Sequence, residues 1–407
     1  MNDRVRRRRV VFVSGFDPRG ARHYHQLWRD EAAKAAASHG PDVTFTLGNR
    51  RKHGDIVVEW PVTGNLPFKG AAAEVETRFD FLRWDDVARE LWPKAAWPFI
   101  RDTLRTIMRG IGIGYFARLY RVRRLYLLTL FQPVAVIFGI FAGLYLAAAV
   151  PAVIGFALSG LSWTWGLLAG LLGFAGLPIM LRRLEKGSVL WRGQLNNFYT
   201  HLIYDESPLM QARMDEMAEA IADLAAEGGV DEFLVIGHSV GTTVAISAFG
   251  RALLRRRDAF DGIPEIGFVT LGSMAPLLAI EPKADWFRRE LAAIALDPAV
   301  TWVDSGANYD VVCFARVDPL GIAGIERPDG ARNSPVLVTP RFHVLYDKAE
   351  YEALCRDPAQ MHTQYLMATP KAGRCDFMAL AAGPLSLKDR FPEAKGPWAP
   401  APRKQGK

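Results

Sequence analysis

The 407-residue chain has only three cysteines, Cys313, Cys355 and Cys375, far apart and without a CxxC pair. That spacing excludes a disulfide framework and a cysteine-ligated zinc, and it fits a reduced, cytosol-facing compartment. None of the eight histidines stands in an HExxH pattern, so neither a metal nor another cofactor is expected. No GxxxxGK[ST] loop is present to cradle a nucleotide phosphate. The largest gap is in charge: residues 125–181 contain no Asp, Glu, Lys, Arg or His and are rich in Leu, Ala, Gly, Phe and Ile. A bilayer is crossed by about 20 apolar residues, so this run suffices for two spans. They are expected near residues 127–150 and 155–177, joined around Pro151 or through SGLSWTW. A helical hairpin buried in a soluble protein is the weaker alternative, because such long uncharged runs are rare outside membranes.

The net charge of +7 is concentrated in RVRRRR at residues 4–9 and RLYRVRR at residues 118–124. Beside a bilayer these runs call for anionic lipid as the partner rather than nucleic acid. Arg118, Arg121, Arg123 and Arg124 precede the apolar run, and Arg182, Arg183 and Lys186 follow it. The positive-inside rule then puts both ends in the cytoplasm, in an integral protein of the inner or plasma membrane, with Trp163 and Trp165 at the far interface. The stretch WPFIRDTLRTIMRGIGIGYFARLYRVRRL mixes aromatics and arginines at helical spacing, which suits a helix in the headgroup region or one packed on a core. VVFVSGF near the N-terminus is too short for a signal-peptide core and lacks a cleavage site, so export by that route is not expected.

Outside this segment, short β-rich runs alternate with helical ones, the pattern of an α/β sheet. Strands are expected at VVFVSGF, VTFTLGN, DIVVEWPV, TRFDFLRW, EFLVIGH, IGFVTLGS, AVTWVDSG and PVLVTPRF. The division that follows is residues 1–92, a membrane module at 93–187, a second soluble part at 188–386, and a Pro- and Lys-rich disordered tail at 387–407. Asp85 and Asp86 in the WDD stretch are read as helix-capping residues rather than a metal pair.

The chemistry centres on GHSVG, with Ser239 between a hydrophobic strand and a helix beginning GTTVAIS. A serine hydroxyl needs a neighbouring imidazole to remove its proton and donors to hold the oxyanion formed by its attack. Glycines at positions 237 and 241 relieve the crowding of so tight a turn, and the Val240 N–H at the helix start is placed to be one oxyanion donor. A bare GxSxG is a weak signal; its strand-to-helix setting strengthens it. His238 is not a base candidate, since adjacent side chains at such a turn point apart.

GHSVG in this setting resembles the nucleophile elbow of the α/β-hydrolase superfamily, particularly its lipase and esterase members, over roughly 300 residues apart from the insert and tail. The resemblance implies a mostly parallel sheet flanked by helices and a triad in the order Ser, acid, His. It implies a second oxyanion donor from SGFDPRG, with the N–H of Phe16 or Asp17 as candidates, although Ser14-Gly15 stands where His-Gly is common. Counting strands beyond Ser239 puts the acid after AVTWVDSG, where Asp310 is preferred over Asp304 and Asp318. It puts the base after PVLVTPRF, where His362, in an His-x-x-Tyr arrangement with Tyr365, is preferred over His343. The expectation is a membrane-anchored serine hydrolase acting on an ester or thioester, with a lipid-like acyl substrate favoured. The alternative is a non-catalytic membrane scaffold that retains the fold.

Overall fold

The computed structural model describes residues 4–92, 96–180, 188–204 and 207–398. The chain divides into two units, one made of residues 1–90 and 202–407 and the other of residues 91–201. The first is α/β. Its β1 (Arg7–Val13), β2 (Thr44–Leu47), β3 (Arg51–His53), β4 (Val57–Phe68), β5 (Ala71–Leu82), β6 (Glu232–His238), β7 (Glu265–Leu271), β8 (Val300–Ser305) and β9 (Val336–Val338) form one mixed sheet. The order is β2-β4-β5-β1-β6-β7-β8-β9, with β3 paired to β4. From β5 to β9 every neighbouring pair is parallel, whereas β2, β3 and β5 run antiparallel to β4.

Parallel strands buried on both faces read as continuous apolar runs, and β6 shows this, with all seven residues buried. The chain leaves β1 toward β5 on one side, and leaves β6 toward β7 on the other. The carboxyl ends of β1 and β6, aligned at Val13 and Gly237, therefore flank a point where the winding reverses, the usual place for a site in such sheets. A core of Val10, Phe12, Trp28, Trp60, Phe79, Phe81 and Phe377 fills one face of the sheet.

Two expectations about this unit are corrected. The arginines of residues 4–9 are not all a lipid-facing arm: Arg8 and Arg9 lie inside β1 and are buried. Arg8 pairs with Glu232 at 2.6 Å and donates to Gly383 O and Leu385 O, and Arg9 pairs with Asp80 at 2.7 Å and with Glu227 at 2.6 Å. A central strand can carry such charges because its neighbours supply the carboxylates. The disorder expected from residue 387 is not found in the described residues of this segment. Leu387–Arg390 is a short helix, and Leu387 and Phe391 are buried in the core. Residues 399–407 lie outside the described residues.

In the second unit the helix Ala96–Gly112 is followed by the 44-residue helix Tyr115–Leu158, which is broken at Arg123 (φ −155°, ψ 89°). Tyr115–Leu158 is long and apolar enough to cross a membrane. It contains the whole expected first span and continues through Pro151, so the turn falls in SGLSWTW, with Gly160 at φ 74°. In place of the second span expected at residues 155–177, there is a shorter apolar helical stretch from Thr164 to Met180, with 3-10 geometry over Leu171–Gly176. Gly166 and Gly170 let it approach closely, since a Cβ on Gly166 would strike Val153 and one on Gly170 would strike Ala149 and Tyr145. Arg182, Arg183 and Lys186 lie outside the described residues. The helix Ser188–Ile203 belongs largely to this unit, which runs beyond the expected boundary at 187.

Candidate active site

β6 ends at His238 and the helix Val240–Arg255 begins two residues later, so Ser239 alone makes the turn. Its φ of 57° and ψ of −128° are strained for a residue with a side chain, at a cost of about 1–3 kcal/mol. The surroundings hold it there: Ser239 N–H donates to Leu271 O at 2.9 Å, and Thr242 donates to Ser239 O from both N and Oγ1. A Cβ on Gly237 would stand 2.8 Å from Gly241 O, and one on Gly241 would collide with the carbonyl oxygens of Val13 and Ser14. Both glycines are therefore required by close backbone approach.

The loop after β1 lies directly against the serine. A Cβ on Gly15 would be 3.1 Å from Ser239 Cβ and 3.5 Å from its Oγ. Trp84 Nε1 donates to Ser14 O at 3.0 Å and its ring meets Phe16 edge-on, which braces the loop. Phe16 is buried and follows Gly15, and Val240 is the first residue of its helix, where backbone N–H groups lack an intrahelical acceptor.

Ser239, His362 and Asp310 are joined in one chain of hydrogen bonds. Asp310 Oδ2 stands 2.8 Å from His362 Nδ1, and Ser239 Oγ stands 2.7 Å from His362 Nε2. Burial opposes charge on Asp310, but the His362 imidazole and the N–H of Val312 favour it more, and its pKa is held at about 2. An ionised carboxylate only accepts, so His362 Nδ1 carries the hydrogen. Nε2 is then the acceptor, and the Ser239 hydroxyl donates to it. All three side chains are buried, Ser239 being 3% exposed.

The rival candidates have other partners. Asp304 accepts from Thr270 Oγ1 at 3.0 Å and burial pushes it up to about 7. Asp318 caps the helix Pro319–Ala323 and pairs with Arg327 at 2.8 Å. His343 is exposed on the short helix Phe342–Leu345, its ring against Tyr351, and the structure does not bring it to Ser239. Asp85 is paired with Arg83 and Arg89, and Asp86 with Arg213.

Four further residues shape the site in ways that sequence reasoning missed. Tyr365 Oη donates to Asp310 Oδ2 at 2.9 Å while accepting from Ala307 N–H at 2.8 Å. The His-x-x-Tyr spacing singled out Tyr365 but not its role. His238 Nε2 donates to His362 O at 3.0 Å, and burial followed by the neighbouring His362 imidazole lowers its pKa to about 4. Met274 Sδ lies 3.8 Å from Ser239 Oγ, and Gly272 (φ 60°) leaves room for Tyr365 and His362 where a Cβ would meet them. No sequence signal marks these two residues, because their positions depend on how the loop after β7 folds over the serine. The chain matches no protein-family profile, no curated protein and no solved structure.

Proposed function

We propose that the chain is a serine hydrolase of the α/β-hydrolase kind, anchored in a membrane and cleaving esters or thioesters through an acyl-enzyme. The observation that carries this reading is the Ser239–His362–Asp310 chain, with bonds of 2.7 and 2.8 Å and the serine on a strained strand-to-helix turn. His362 Nε2 takes the hydroxyl proton as Ser239 Oγ bonds to the substrate carbonyl carbon. Asp310 orients the imidazole and stabilises its cationic form. The N–H groups of Val240 and Phe16 hold the oxyanion. His362 then gives its proton to the leaving alcohol or thiol as the bond to it breaks, and water repeats the sequence to free the acid.

The membrane part of the proposal rests on exposed apolar surface. Leu128, Phe138, Leu146, Val150 and Ile154 on the long helix are all half or more exposed, as are Leu168, Leu171 and Leu172 on the shorter one. Such a surface needs a partner, and bilayer hydrocarbon fits helices of this length. On Ala96–Gly112, Leu104, Met108 and Ile111 form an exposed apolar stripe at helical spacing, with Arg101, Arg105 and Arg109 nearby, as in a helix lying at the headgroups. Both termini are assigned to the cytoplasm. Reporter fusions at each end test this, and an external C-terminus would contradict it.

Turnover of 4-nitrophenyl butyrate by the full chain in neutral detergent tests the enzymatic reading. Hydrolysis that is lost in Ser239→Ala supports it. Absence of turnover in the folded wild type favours a binding scaffold instead.

A further inference from the structure

The positive end of the helix Gly20–His39 is met by carboxylates from outside its own first turn, where Asp17 accepts from Arg19 N–H and Asp85 packs against Gly20. Arg19, Arg22, His23, Gln26 and Arg29 recur at the i, i+3, i+4, i+7 and i+10 spacing of one helix face. With His25, and with Asn49 and Arg50 from the segment between β2 and β3, they line an open cavity of about 680 Å³. Arg19 pairs with Asp17 at 2.6 Å; among the described residues, Arg22, Arg29 and Arg50 have no carboxylate partner. His25 responds to this field, its pKa lowered first by burial and then by Arg29 and Arg50.

The cavity adjoins the loop that touches the nucleophile. Arg19 is four residues from Gly15, so their Cα atoms are at most about 14 Å apart. Between them the buried Asp17 is gripped by Arg19 through N, Nε and Nη2 and accepts from Tyr24 Oη at 3.2 Å. One rigid segment thus carries Gly15 at the serine and Arg19 in the cavity wall.

We infer that this cavity binds a phosphate group on the substrate, so that the ester attacked by Ser239 belongs to a phosphate-bearing acyl compound. Guanidinium forks match phosphate oxygens, and three arginines without carboxylate partners around one cavity provide charge that such a group neutralises. The inference rests on the hydrolase reading and names its substrate class.

The full chain in neutral detergent is assayed with two soluble esters, 1-hexanoylglycerol and 1-hexanoylglycerol 3-phosphate. In parallel, inorganic phosphate and glycerol 3-phosphate are titrated calorimetrically. Wild type is expected to favour the phosphate ester at least tenfold in kcat/KM and to bind glycerol 3-phosphate. Arg22→Glu with Arg29→Glu should lower that preference at least tenfold, and Arg22→Lys with Arg29→Lys should keep part of it; thermal melts report whether each variant folds. Equal kcat/KM for the two esters in wild type overturns the substrate assignment, and binding of inorganic phosphate in that case marks a free-anion site instead. A preference that survives charge reversal in a folded variant also overturns it. Failure to hydrolyse either ester contradicts the hydrolase reading itself, while the titrations report on the cavity separately.

Discussion

Tyr365 donates its phenolic hydrogen to Asp310 Oδ2 at 2.9 Å, the oxygen that also receives His362 Nδ1–H at 2.8 Å. Two donors on one oxygen fix the carboxylate, and through it the plane of the imidazole. Tyr365→Phe should therefore lower kcat about tenfold with little change in KM, as expected for a residue that positions the triad without touching substrate. The same change leaves Ala307 N–H without its acceptor, at a stability cost of about 1–3 kcal/mol. Steady-state kinetics and denaturant unfolding measure the two effects.

The choice of base is open to direct kinetic comparison. His362→Ala and Ser239→Ala should each reduce kcat/KM for 4-nitrophenyl butyrate by roughly 10³-fold or more, and Asp310→Asn by about 10⁴-fold. His343→Ala, at an exposed residue of a different helix, should stay within about twofold of wild type.

Gly241→Ala tests the turn rather than the chemistry. The added methyl meets the carbonyls of Val13 and Ser14, which belong to β1 and the loop at its end and cannot swing aside. A loss of about 1–3 kcal/mol is expected, read as a lower denaturation midpoint, together with a fall in activity from a displaced Ser239.

Acid should act on the fold through His238. Its pKa falls from 6.5 to about 4 in the fold, so the unfolded chain binds the extra proton first as pH drops. The stability it contributes is fully present above about pH 6.5 and is lost as pH falls toward 4, by about 3 kcal/mol. Asp304 and Asp80, pushed up by burial to about 7 and 6, act in the opposite sense, losing stability as pH rises through that range. The readout is therefore the difference between wild type and His238→Asn. Wild type should lose stability relative to the variant between pH 6.5 and 4, as measured by urea unfolding at stepped pH.

Much of this site was legible in the sequence because a parallel sheet imposes an order on the chain. From Ser239 the next three strands are β7, β8 and β9, each beside the last, so counting them narrowed the acid to Asp310, Asp304 or Asp318 and the base to His343 or His362. The His-x-x-Tyr resemblance, rather than the count, favoured His362. Arg8 and Arg9 show where that reading stops. A run of arginines reads as solvent-facing, and only strand pairing reveals that Glu232 and Asp80 meet them inside the sheet. Leu387 and Phe391 are similar, for a Pro- and Lys-rich tail hides apolar side chains that pack in the core. The hairpin turn was placed by composition to within two alternatives. Pro151 did not break its helix, and Gly160, free to take a positive φ, made the reversal.

Peptide mapping after reaction with a fluorophosphonate probe tests the central claim most directly. Ser239 should carry the adduct in wild type and in His343→Ala, and labelling should be lost in Ser239→Ala and strongly slowed in His362→Ala. An adduct that forms on another serine, that persists in Ser239→Ala, or that depends on His343 rather than His362 would contradict the assignment.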